Sequence, residues 1–120
     1  MTEPTYLLLK KMEKRPGMWT GENTLKSIVS FISGYSIATE DYDVDADFGI
    51  SKKFHDWIAI RLGCYESTAG WANMILAYTI GMDPSKPNWE NYDKEITEEY
   101  HRESIIKFYE LLEQSRVKNL

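Results

Sequence analysis

The chain of 120 residues holds one cysteine, Cys64, and two histidines, His55 and His101. A lone cysteine forms no intramolecular disulfide and rules out a cysteine-rich metal site. An unpaired thiol fits a reducing compartment. Two histidines and one cysteine complete a zinc site only with help from acids, and no H-E-x-x-H is present. The glycines form neither of the two patterns that cradle phosphates, G-x-x-x-x-G-K-[ST] and G-x-G-x-x-G. No apolar run approaches the roughly twenty residues of a membrane span. The segment Met1-Thr2-Glu3-Pro4-Thr5 carries no positive charge, and the apolar stretch Tyr6 to Leu9 is too short for a signal peptide. The expected setting is therefore the cytoplasm, with no membrane contact and no cofactor.

Cations are missing from one long window. Residues 27 to 51 contain no Lys, Arg or His, yet include Glu40, Asp41, Asp43, Asp45 and Asp47. The net charge of -5 resides entirely there, because the rest of the chain carries 14 charges of each sign. Phosphate backbones require clustered cations, so nucleic acid is a poor partner. Basic proteins are a good one.

Aromatics are plentiful, with four Trp and eight Tyr, which argues against disorder and supplies interface anchors. The length suits one domain spanning residues 1–120. The apolar period is that of helices. A first helix is expected over residues 4–14, with Pro16-Gly17 ending it and residues 18–23 as a connection. Thr24 caps a second helix, in which Leu25, Ile28, Val29, Ile32 and Tyr35 recur at helical spacing. Gly34 weakens that helix but permits a close neighbour. The acidic stretch 40–49 reads as a loop, since successive Asp residues disfavour helix and strand. Helices follow from Ser51 to Gly63, from Ser67 or Thr68 to Gly81 with a stripe of Trp71, Met74, Ile75 and Tyr78, and from about Lys94–Thr97 to Arg116. In the last, Ile105, Phe108, Tyr109 and Leu112 face inward. The expected fold is all-α, a compact bundle of about five helices.

No residue constellation supports catalysis. His55 and Asp56 are helix neighbours, which diverge rather than face each other. Cys64 follows a helix C-terminus, whose dipole disfavours a thiolate. Ser67-Thr68 lacks a nucleophile elbow. The alternating Asp41, Asp43, Asp45 and Asp47 resemble calcium ligands, but neither register supplies the required Gly and Glu. The same run combines steering charge with Tyr42 and Phe48, the makings of a protein-binding patch. Trp89, Glu90 and Tyr92, in the segment 82–93 that also holds Pro84 and Pro87, are further candidate partner contacts; a lid packed on the core is the alternative.

Several segments in order resemble a known family. They are Lys14-Arg15-Pro16-Gly17-Met18-Trp19-Thr20-Gly21, the helix Leu25 to Tyr35, Phe54-His55-Asp56-Trp57-Ile58, Ser67-Thr68-Ala69-Gly70-Trp71-Ala72-Asn73-Met74-Ile75-Leu76, and Phe108-Tyr109-Glu110-Leu111-Leu112. This order is similar to small bacterial immunity proteins encoded beside polymorphic toxins, including those of contact-dependent growth inhibition and Rhs systems. The resemblance spans about residues 10–112. It implies a cytoplasmic antitoxin that binds a cognate toxin's C-terminal domain and blocks its active site or substrate access. It implies no catalytic residue. Many such toxins are nucleases with basic surfaces. The chain departs from the family pattern in carrying Trp19 where Tyr is commoner, and the acidic run matches no family motif. A self-associating helical adaptor and a small-molecule binder using His55, His101 or Cys64 are the alternative functions; homo-oligomerisation stays open.

Overall fold

A computed structural model of the chain describes residues 3–41, 52–64, 69–84, 86, 88–90, 94 and 96–118, with Glu40 and Asp41 described by backbone alone. Six helices and no strand are found among the described residues: α1 (Glu3–Met12), α2 (Pro16–Thr20), α3 (Leu25–Asp41), α4 (Lys52–Leu62), α5 (Trp71–Thr79) and α6 (Glu98–Val117). The all-α expectation holds. The sixth helix is the short α2, in the segment expected to be a connection.

The stop expected at Pro16-Gly17 is a start. α1 ends at Met12, and Pro16 opens α2, where its missing N–H costs nothing and its fixed φ is already helical. α2 is held by side chains rather than length. Gly17 N–H donates to Asn23 Oδ1 at 2.8 Å, and the Thr20 hydroxyl lies 2.6 Å from the Glu22 carbonyl and 3.0 Å from Ser27 Oγ. A Cβ on Gly17 would lie 2.8 Å from Asn23 Oδ1, so a larger residue there displaces the Asn23 side chain from its hydrogen bond.

Thr24 caps α3 as expected, accepting the Ser27 N–H at 3.1 Å. Thr97 does the same for α6, accepting from Tyr100 N–H at 3.2 Å. At α5 the expected caps, Ser67 and Thr68, lie outside the described residues; the residue just before the helix is Gly70, which offers no side-chain cap. α4 and α5 both terminate in a paired-carbonyl motif. Gly63 and Gly81 adopt positive φ, and the N–H groups of Cys64 and Met82 return to Ala59 and Ala77.

α5 lies at the centre and packs on α3, α4 and α6. Ala72, Met74, Ile75, Leu76 and Ala77 are all buried, so this helix is apolar almost all round. Tyr78 departs from its expected inward stripe. It is exposed, with Lys107 Nζ 5.1 Å from its ring centre. The four inward residues expected on α6 are all buried. An aromatic cluster joins α4, α5 and α6: Trp71 stacks on Phe108 at 4.9 Å, and Phe54 meets both rings edge-on. The Tyr109 hydroxyl donates to the Leu9 carbonyl, satisfying an acceptor in the last turn of α1. The radius of gyration, 14.2 Å, is that of a compact chain of this length.

Candidate functional site

Of the residues expected to bind a partner, Tyr42, Asp43, Asp45, Asp47 and Tyr92 lie outside the described residues. Glu40 and Asp41 belong to α3 rather than to a loop, and form its last turn. That turn contains no basic residue. The C-terminus of a helix carries partial negative charge, which disfavours acidic residues there. Two of the five acidic residues, Glu40 and Asp41, thus belong to the end of α3 that least favours acidic residues. Trp89 is half-buried and Glu90 is exposed.

The rest of α3 shows a surface that the apolar stripe does not use. Leu25, Ile28 and Ile32 are buried, while Ser30, Ser33, Gly34, Ile37 and Ala38 are exposed on the opposite side. No charge stands between Lys26 and Glu40. Ile37 is 60% exposed. Trp19 of α2, 44% exposed, sets its ring edge-on to Phe31 at 6.4 Å. An open depression of about 650 Å³ lies between them and Ser30. The close neighbour expected at Gly34 is not found among the described residues: none of them stands within 4 Å of where its Cβ would be. The signal for this face was in the sequence. Thirteen consecutive uncharged residues, Ser27 to Thr39, exceed what one buried stripe needs.

A second candidate is a cleft of about 810 Å³ between the α1–α2 and α2–α3 connections and the first turns of α6. Lys14, Glu22, Glu98, His101 and Arg102 line it, with Ile105 and Ile106. His101 Nδ1 is buried and has no hydrogen-bond partner among the described residues. His55, on α4, is half-buried and lines neither cavity. Cys64 is half-buried, and burial pushes its thiol pKa up, away from nucleophilic character. Among the described residues no group of three or more His, Cys, Asp or Glu is placed to hold a metal, and no helix is long and apolar enough to cross a membrane. No family model matches the chain, and comparisons with curated proteins and with solved structures find no match either.

Proposed function

We propose that this chain is an immunity protein, a stoichiometric inhibitor that binds the C-terminal domain of a bacterial toxin and blocks its active site or substrate access. The observation that carries the proposal is the position of Glu40 and Asp41. They occupy the last turn of α3, at the negative end of its dipole, and that turn contains no basic residue. Three further aspartates follow within six residues. Charge placed against the interest of the fold is expected where function requires it. A basic surface laid against it relieves the repulsion and speeds association. A nuclease toxin supplies such a surface, because it must hold a polyanion. The similarity to immunity proteins between residues 10 and 112 points the same way. In this function the chain is not an enzyme and works without a cofactor, in the cytoplasm where the toxin acts.

The test is affinity capture with the tagged chain from cells expressing the genes beside its own, followed by native mass spectrometry. A 1:1 complex with one basic toxin domain, whose activity is lost in the complex, supports the proposal. Recovery of the chain alone, under low-salt conditions, contradicts it.

The cleft around His101 favours a second function, small-molecule binding, because its volume falls within the usual range for ligands and His101, whose buried Nδ1 has no hydrogen-bond partner among the described residues, lines it. A metabolite that raises the melting temperature of the wild type but not of His101→Phe would support it. Equal shifts in both proteins would exclude a role for the imidazole.

A further inference from the structure

We propose that α2 is a strap that opens as a unit while the rest of the fold stays closed, with the Asn23 side chain as its latch. Opening removes the wall between the cleft around His101 and the depression beside α3. The inference rests on neither function proposed above.

Three observations support it. First, α2 has a weak hold on the core. It is five residues long, and Pro16 is its one buried residue. Met18 is exposed, and Trp19 meets Phe31 edge-on at the surface. The helices on either side are anchored: α1 buries Thr5, Leu9 and Met12, and α3 buries Leu25, Ile28 and Ile32. A segment with few buried apolar contacts opens at a smaller free energy than the core around it.

Second, the polar bonds of the strap are local. Among the described residues, the hydrogen bonds of residues 16–23 end between residues 15 and 27. The Thr20 hydroxyl has one proton, and the Glu22 carbonyl, at 2.6 Å, is its nearest acceptor. Glu22 N–H donates back to Thr20 Oγ1 at 3.2 Å. The nearest acceptor for the Ser27 hydroxyl is the Thr24 carbonyl, at 2.7 Å. These bonds shape the turn between α2 and α3, and those within it move with it. The bond from Gly17 N–H to Asn23 Oδ1, at 2.8 Å, is different: it ties the first turn of α2 to the residue just before the cap of α3. Asn23 is exposed, so this bond can break to water.

Third, the turn is a wall. Gly21 and Glu22 line both the cleft of about 810 Å³ and the depression of about 650 Å³. Gly21 stands at φ +88°, a region open to glycine and strained for other residues, so the backbone can pivot there. Displacing Gly21 and Glu22 opens one space into the other.

The experiment is native-state hydrogen exchange followed by NMR on wild type, Ile75→Val, Asn23→Ala and Asn23→Asp. Gly21 N–H, bonded to the Gly17 carbonyl at 2.8 Å, reports the strap. The amides of Leu111 and Leu112, both fully buried on α6, report the core. In wild type, Gly21 should be protected, yet open on the order of a hundredfold more often than Leu112. Ile75→Val trims a fully buried side chain of α5. It should raise core exchange about threefold to tenfold and leave Gly21 unchanged, because the open strap keeps the core intact. Asn23→Ala should raise Gly21 exchange about threefold or more, whereas Asn23→Asp, which keeps an acceptor oxygen, should match wild type. An equal rise at Gly21 and Leu112 in Ile75→Val means that α2 opens only with the whole fold, and overturns the strap. Exchange of wild-type Gly21 at the rate of an unstructured amide overturns its closed state. Unchanged Gly21 exchange in Asn23→Ala, or the same rise in Asn23→Asp as in Asn23→Ala, overturns the latch.

Discussion

Tyr6 and Glu113 are 107 residues apart in the chain, yet the Tyr6 hydroxyl donates to Glu113 Oε1 at 2.7 Å. Lys10 Nζ reaches the same oxygen at 3.3 Å. Arg116 lies over the Tyr6 ring at 3.6 Å and pairs with Glu3 at 3.0 Å. These contacts fasten α1 along α6, beside the apolar contacts of Leu9 and Met12. The hydrogen bond from Tyr6, with Lys10 nearby, holds the Glu113 carboxyl below its ordinary range. The same bond raises the Tyr6 phenol above its ordinary range.

The two shifts set opposite limbs of a stability profile. Glu113 has a lowered folded pKa, so its contribution is present at neutral pH and is lost as pH falls through that folded value. Tyr6 has a raised folded pKa, so its contribution is present below the ordinary phenol value and is lost as pH rises through the folded one. Tyr6→Phe is expected to cost about 0.5–1 kcal/mol near pH 7, a modest value because the pair is exposed to solvent. Urea denaturation across pH should show the variant and wild type converging at both extremes. A constant difference at every pH would mean that the cost is packing rather than this hydrogen bond.

Gly34→Ala should stabilise. The site is helical, exposed and open, and alanine exceeds glycine there by about 0.5–1 kcal/mol. Chemical denaturation reads the change directly. A destabilised variant would mean that α3 is not a regular helix at Gly34.

Phe108 is fully buried, stacked on Trp71 and edge-on to Phe54. Phe108→Ala empties the junction of α4, α5 and α6 and is expected to cost about 3–5 kcal/mol. That is a large part of the stability of a domain this size. A loss below about 1 kcal/mol would show that these helices do not share one core.

Much of the fold could be read from periodicity and caps. Of the α3 stripe Leu25, Ile28 and Ile32 are buried and Val29 and Tyr35 half-buried, and Ile105, Phe108, Tyr109 and Leu112 of α6 are all buried as their spacing requires. Thr24 and Thr97 cap the helices they precede. What escaped depends on tertiary partners. Pro16 opens or closes a helix with equal propriety, and only the bonds from Asn23 and Thr20 decide for an opening. Tyr78 continues an apolar stripe by spacing, but the chain places it at the surface under Lys107. The candidate site was half legible. Composition exposed the charge segregation at once. The outward face of α3 required knowing which stripe the core uses and which positions are then left over.

The acidic stretch carries its own prediction. Replacing Asp41, Asp43, Asp45 and Asp47 with Asn should spare folding, and losing the charge at Asp41 should stabilise α3 slightly. Association with the toxin domain should slow by roughly tenfold or more at low salt and lose much of its dependence on ionic strength. Stopped-flow rates at several salt concentrations test this. Identical rates and salt slopes would remove these aspartates from the interface.

Protection of living cells tests the central claim most directly. The toxin domain recovered by capture is expressed from an inducible promoter, with and without this chain, and growth is followed after induction. Growth arrest by the toxin alone, with full rescue by the wild-type chain at equimolar expression, is the predicted result. Continued arrest despite expression of the folded chain would contradict the account.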